Sequence, residues 1–176
     1  MAAFAKLRAV LRGAPRHWEG RIPESEQAVR IEDAALRHIR RFRQRGQSTK
    51  EAGGQLFGCV TDKWVIVSKA VGPSASDERG LFSFRSDPSV AQKAIQRLHE
   101  RGLLYLGEWH THAELIPLPS PSDLLAMQQL MKRSHLNTRA ILLVILGLGH
   151  PDTDVGAWYV DETNLLRAIV SYGVRV

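Results

Sequence analysis

Cysteine is nearly absent from this chain. Of its 176 residues only Cys59 carries a thiol, so no internal disulfide is available and nothing marks an oxidising compartment. The same scarcity removes metal sites built on cysteine pairs, including that of the zinc nucleobase deaminases, which combine His-x-Glu with Cys-x-x-Cys. No apolar run approaches the roughly 18 residues that a membrane-spanning helix needs. Lys6 and Arg8 interrupt the leading residues before an apolar signal core develops, so a cytoplasmic location is expected. There is no internal repeat, no P-loop and no Gly-x-Ser-x-Gly nucleophile turn.

What is present describes a soluble globular chain. At 44% hydrophobic and 24% charged residues, the composition and length suit one domain with a core of ordinary size. The net charge of +6 is unevenly placed: residues 1–50 hold 12 Lys/Arg against 5 Asp/Glu, and residues 51–176 hold 12 against 13. Such a basic lead can attract nucleic acid, an acidic protein surface or anionic lipid. No aromatic platform is interleaved with the arginines, as a single-strand binder requires, so the preferred reading is a solvated face. Neither nucleic acid nor membrane is an expected partner.

Hydrophobic spacing predicts alternating strands and helices. Phe4, Leu7, Val10 and Leu11 have helical spacing, after which Gly13, Pro15, Gly20 and Pro23 predict coil. A strand from Ala28 to Ile31 leads into a helix from about Glu32 to Arg45, with Ala35, Leu36, Ile39 and Phe42 as its buried stripe. Arg41, Arg43 and Arg45 near its end are accounted for by the helix dipole. Strands are predicted over Gly53–Val60 and Trp64–Val71, with Thr61–Lys63 as the turn between them. A long loop, 72–86, carries Leu81, Phe82 and Phe84, either as a substrate-facing wall or as core plugs. Asp87 and Pro88 open a helix lined by Val90, Ala91, Ala94, Ile95 and Leu98. His99 and His150 read as surface histidines. Leu103–His112 is a strand, Ser120 opens a helix, Ala140–Leu146 is a strand covered on both faces, and Val155–Val160 and Leu165–Tyr172 close the chain.

Chemistry concentrates in Glu108-Trp109-His110-Thr111-His112 and Ser120-Pro121-Ser122-Asp123. In a strand, side chains alternate, so Glu108, His110 and His112 share a face and the two imidazoles can converge on one ion. Asp123, in the first turn of the next helix, supplies a carboxylate. Two nitrogens and one oxygen leave the fourth tetrahedral position open for water, the arrangement of a catalytic zinc. Ser at the N-cap, Pro at the first position and an acid at the third are also what any helix start prefers. Capping explains Ser120 and Asp123 but not His110 and His112. Glu51, read alone beside Lys50, is a charged strand end.

His-x-His, seven residues, Ser, two residues and Asp resembles the JAMM signature of the JAB/MPN metalloproteases. Glu51-Ala-Gly-Gly-Gln-Leu-Phe-Gly58 looks like the upstream glutamate and glycine-rich strand of the family's bacterial form. The resemblance runs from Glu51 onward. It implies an α/β fold of JAB/MPN type, a mixed β-sheet flanked by helices, as a single domain over residues 27–176 preceded by a basic extension, 1–26. One Zn2+ per chain would be held by His110, His112 and Asp123. Glu51 would be the general base, with Glu108 as its rival or a neighbour that orients an imidazole, and Ser120 would stabilise the carbonyl oxygen.

The implied reaction is cleavage of an isopeptide or peptide bond after the C-terminal glycine of a ubiquitin-like modifier or a conjugated protein. The extended tail would lie beside a sheet edge, where it could add as a strand. The chain looks most like the deconjugating peptidases of CBASS anti-phage operons, which implies activating- and conjugating-enzyme-like partners encoded nearby. C-terminal trimming of a sulfur-carrier protein, a non-catalytic MPN scaffold and a DNA-associated member similar to the RadC group remain as alternatives.

Overall fold

The computed structural model describes residues 17–133 and 138–172. The predicted helix on Phe4, Leu7, Val10 and Leu11 lies outside the described residues. In chain order the elements are β1 (His17–Arg21), β2 (Ala28–Glu32), α1 (Asp33–Arg40), β3 (Gly53–Val60), β4 (Trp64–Ala70), β5 (Glu78–Arg79), β6 (Phe84–Arg85), α2 (Pro88–His99), β7 (Leu104–Thr111), α3 (Pro121–Arg133), β8 (Ala140–Leu146), β9 (Val155–Asp161), β10 (Leu166–Ala168) and β11 (Val170–Ser171). The architecture is α/β, with a large mixed sheet flanked by helices.

Nine strands form that sheet, in the order β10-β9-β8-β7-β3-β4-β2-β1-β11, while β5 and β6 form a separate hairpin. The β7/β8 and β2/β4 pairs are parallel and the others antiparallel. β10 pairs with β9 at one edge and β11 with β1 at the other, with only Ile169 between them. The Ile169 amide donates to Ala157 and that of Tyr172 to Glu19. One segment therefore bonds to both edges, and the sheet closes on itself like a barrel.

Alternation on β8 shows why its seven residues are all apolar. Leu142, Val144 and Leu146 join the inner core, where Ala35, Leu36 and Ile39 of α1 pack with Val29, Ile31, Leu56, Val67 and Trp109. Ile141, Leu143 and Ile145 join the outer layer under Met127 of α3. A neighbouring outer cluster packs Ala94 and Leu98 of α2 on Phe57. A strand buried on both faces has no polar side to show.

Four expectations are corrected by tertiary contacts. The predicted coil before Ala28 contains β1, which is ordered by pairing with β2 and β11. α1 ends at Arg40 rather than Arg45, because Arg43 turns away to Asp154 and to the Gly149 carbonyl, and Gln44 turns to the Thr49 carbonyl. Val90 of α2 stays exposed. The sheet edge expected beside the site is also missing, since β7 lies between β3 and β8, and β3 between β7 and β4. Unpaired strand backbone next to the site belongs instead to the β5–β6 hairpin.

Candidate active site

The orientation of β7 depends on a bulge. Leu56 opposes Gly107 and Phe57 opposes Tyr105, so Leu106 is an extra residue and the alternation of faces reverses there. Gly107 adopts φ 145°, and a Cβ there would collide with the Leu142 backbone, so only glycine fits. Beyond the bulge Trp109 points into the inner core, where its indole nitrogen donates to the Val71 carbonyl at 2.9 Å. Glu108, His110 and His112 take the outer face, as alternation predicts.

Both histidines are buried, 8% exposed, and their Nε2 atoms lie 3.0 Å apart. Asp123 faces them from the first turn of α3, with Oδ1 3.4 Å from His110 Nε2 and Oδ2 3.4 Å from His112 Nε2. A reciprocal cap holds that carboxylate in place. Its Oδ2 accepts from the Ser120 amide and hydroxyl, both at 2.7 Å, while the Asp123 amide donates to Ser120 Oγ at 3.2 Å. Helix capping and site building are thus the same set of bonds.

Ligand atoms about 2.0–2.1 Å from a tetrahedral zinc lie about 3.3–3.4 Å from one another. The separations of 3.0, 3.4 and 3.4 Å among His110, His112 and Asp123 fit that geometry. Among the described residues this is the one group of three or more His, Cys, Asp or Glu side chains so placed. Two imidazole nitrogens and a carboxylate are also a donor set that zinc accepts.

β3 runs antiparallel to β7 with Gly53 opposite His110, so Glu51, two residues before β3's first residue, comes opposite His112. Its Oε1 lies 4.0 Å from His112 Nε2, and the residue is 6% exposed. Burial raises the Glu51 carboxyl to about 7, with His112 opposing the shift and Asp123 and Glu114 adding to it. Burial disfavours the charge on His112, but the hydrogen bond and charge of Asp123 and the charges of Glu51 and Glu114 outweigh this and raise it. Burial also pushes Asp123 upward, and bonds from His110 and His112 overcome it, holding the carboxyl well below its ordinary range. Gly54 is in the close approach expected of it, since a Cβ there would strike the Val71 carbonyl.

Glu108, the rival base, is already occupied. Its oxygens accept from the Tyr105 hydroxyl at 2.6 Å and from Gln55 Nε2 at 3.2 Å. Burial raises it to about 7 against those two bonds. Among the described residues no hydrogen bond or ion pair joins it to either imidazole, so it does not orient them by hydrogen bonding. His99 and His150 are exposed, as expected. Phe82 and Phe84 differ in their surroundings. Phe82 is 74% exposed, whereas the Phe84 ring packs over Gly53.

Sequence reasoning missed Arg79 and Gly80, whose bonds to the main chain of Glu51 come from a hairpin with no strand pattern, and Glu114, one of the charges acting on Glu51 and His112. It also missed the exposed apolar loop of Leu115, Ile116 and Leu118 that joins His112 to Ser120.

Residues 32–161 match the family described as prokaryotic homologues of the JAB domain. The chain belongs to this family. It is 29% identical over 127 residues to a Vibrio cholerae protein named "CD-NTase/cGAS isopeptidase", covering 70% of this chain and 79% of that one. A Pseudomonas aeruginosa protein of the same name is 32% identical over 117 residues, covering 65% of this chain and 73% of the relative. A third protein of that name, from Escherichia coli, is 26% identical over 106 residues, 58% of this chain and 68% of the relative. The fold is shared with the solution structure of protein DSY2949 from Desulfitobacterium hafniense, at a TM-score of 0.52 and 19% identity, over 77% of this chain and 81% of that one. The bacterial JAB family is thus where the motif pointed, and proteins named as isopeptidases are among the relatives it resembles.

Proposed function

We propose that this protein is a zinc-dependent isopeptidase that hydrolyses the amide bond after the C-terminal glycine of a ubiquitin-like modifier, or of a protein conjugated by a bacterial ubiquitin-transfer-like system, in CBASS anti-phage signalling. The observation that carries it is the convergence of His110, His112 and Asp123 at zinc-ligand spacing, with the buried Glu51 carboxyl 4.0 Å away, in a chain similar to three isopeptidases.

His110, His112 and Asp123 would hold the ion, which when bound supplies the Lewis acidity that makes water nucleophilic near neutral pH. Glu51 takes a proton from the attacking water and delivers it to the amine nitrogen, because an amide anion is too basic to leave unprotonated. Burial, which favours the protonated form of Glu51, helps it hold the proton between the two transfers. The Ser120 hydroxyl, which donates to Asp123, turns to donate to the carbonyl oxygen as negative charge grows there. Exposed Leu81 and Phe82 follow Gly80, whose carbonyl accepts from the Glu51 amide, and exposed Leu115, Ile116 and Leu118 lie in the loop from His112 to Ser120; both suit an apolar tail with a small final residue. No helix among the described residues is long and apolar enough to cross a membrane.

The test is incubation of the zinc-loaded protein with modifiers extended beyond their terminal glycine, the cut being mapped by mass. Cleavage after glycine by the wild type, and none by Glu51→Ala, is expected. Absence of stoichiometric zinc, or unchanged cleavage by Glu51→Ala, would sink the reading.

A further inference from the structure

The side chain of Glu51 has little to hold it. Among the described residues no hydrogen bond reaches its carboxylate, and its nearest ionic neighbour is His112 at 4.0 Å. Where that carboxylate sits is therefore set by its main chain, which lies just before the β3 ladder begins at Gly53. The next residue, Ala52, is tied to β7 through the Thr111 hydroxyl at 3.0 Å.

Glu51 itself is tied elsewhere. Its amide donates to the Gly80 carbonyl at 2.8 Å, and its carbonyl accepts from Arg79 Nε at 2.6 Å. Arg79 Nη2 also reaches the Lys50 carbonyl at 3.4 Å. Arg79 has no carboxylate partner among the described residues. Its guanidinium is spent on the main chain of the proposed base and of the residue before it. Arg79 and Gly80 belong to the β5–β6 hairpin, which docks on β3 through the Phe84 ring over Gly53 and through Ser86, whose hydroxyl bonds to Gln55 at 2.8 Å. The turn of the same hairpin carries Leu81 and Phe82, 43% and 74% exposed. One two-stranded element thus presents an apolar tip to the outside and grips the Glu51 peptide on the inside.

We propose that Arg79 is a positioning residue that fastens the main chain of Glu51 to the β5–β6 hairpin and thereby places the base. This rests on the reading of Glu51 as general base given above. Misplacing a reacting group by about 1 Å costs up to about a hundredfold in rate. The loss should therefore appear in kcat, because zinc ligands and the apolar tip are untouched.

The experiment uses the zinc-loaded full chain and a cleavable glycine-ended fusion. Arg79→Ala is expected to lower kcat by about tenfold to a hundredfold with KM within about twofold and zinc stoichiometry unchanged. Arg79→Lys, which keeps a donor for the Glu51 carbonyl, recovers part of the loss. A loss confined to KM, or kcat unchanged in Arg79→Ala, overturns the proposal. Amide hydrogen exchange supplies a readout apart from turnover. Arg79→Ala should speed exchange at Glu51 while the β8 amides stay protected, and unchanged exchange at Glu51 overturns the tether. Should the wild type cleave no glycine-ended fusion, the functional reading falls while exchange still decides whether Arg79 holds Glu51.

Discussion

Two buried charge clusters among the described residues are built on opposite plans. Asp154, 0% exposed, receives Arg40 Nε at 3.0 Å and Nη2 at 2.9 Å together with the guanidinium of Arg43, while the arginines also satisfy the carbonyls of Pro151 at 2.8 Å and Gly149 at 2.6 Å. Each arginine there meets both the carboxylate and a main-chain carbonyl, and the cluster fastens the 147–154 turn to α1 and the residues after it. The cluster of Glu51, His110, His112 and Asp123 gathers acceptors without a resident positive charge, and burial and crowding shift the protonation of Glu51, His112 and Asp123. A buried set of charges that is complete in itself holds a fold together. One that gathers acceptors at zinc-ligand spacing has the pattern expected of a metal site.

The contrast can be broken from either side. The largest effect is expected at the incomplete cluster: Asp123→Ala or His110→Ala should abolish stoichiometric zinc and lower turnover by more than about a thousandfold, as metal analysis and cleavage assays would show. Zinc should raise the Tm of the wild type and leave that of Asp123→Ala unmoved. At the complete cluster, Asp154→Ala strands two arginines and should cost about 3 kcal/mol in denaturant unfolding, with zinc content of the folded protein unchanged. Zinc loss there would erase the distinction.

A smaller effect separates the clusters by pH. The Glu51 carboxyl is raised from 4.5 to about 7 in the metal-free fold, so the folded state holds a proton that the unfolded chain releases. Stability then falls as pH climbs between those values and levels off above about 7. Glu51→Gln removes that penalty. Without metal it should be more stable than the wild type at pH 8, by about 2 kcal/mol or less, and the gain should vanish near pH 4. A gain that persists at the lower pH would count against a buried carboxylate as its origin. The smallest change is expected at the apolar tip, where Phe82→Ala should raise KM a few-fold, about 1 kcal/mol or less, with kcat little changed.

What the sequence disclosed follows the same division. His110, His112, Ser120 and Asp123 were legible because a two-residue period and a helix start bring them together over a short span. Ala140–Leu146 was legible because a strand buried on both faces is apolar throughout. Contacts between distant residues left no such mark. Nothing near Arg43 announces Asp154, 111 residues away. β1 exists only because β2 and β11 flank it, and its own sequence, broken by Gly20 and followed by Pro23, reads as coil. Arg79 acts on main-chain carbonyls, which leave no residue signature at all. The reversal of faces at Gly107 was also invisible, yet it leaves the spacing of His110 and His112 intact because the bulge precedes both.

The closure of the sheet by residues 166–172 has a consequence for synthesis. Until that short segment has emerged from the ribosome, β9 and β1 both carry an open row of amides and carbonyls, each a template on which another nascent chain could pair. His110, His112, Asp123 and Glu51 lie upstream and can assemble earlier, but both margins lose their open rows only when residues 166–172 pair with them.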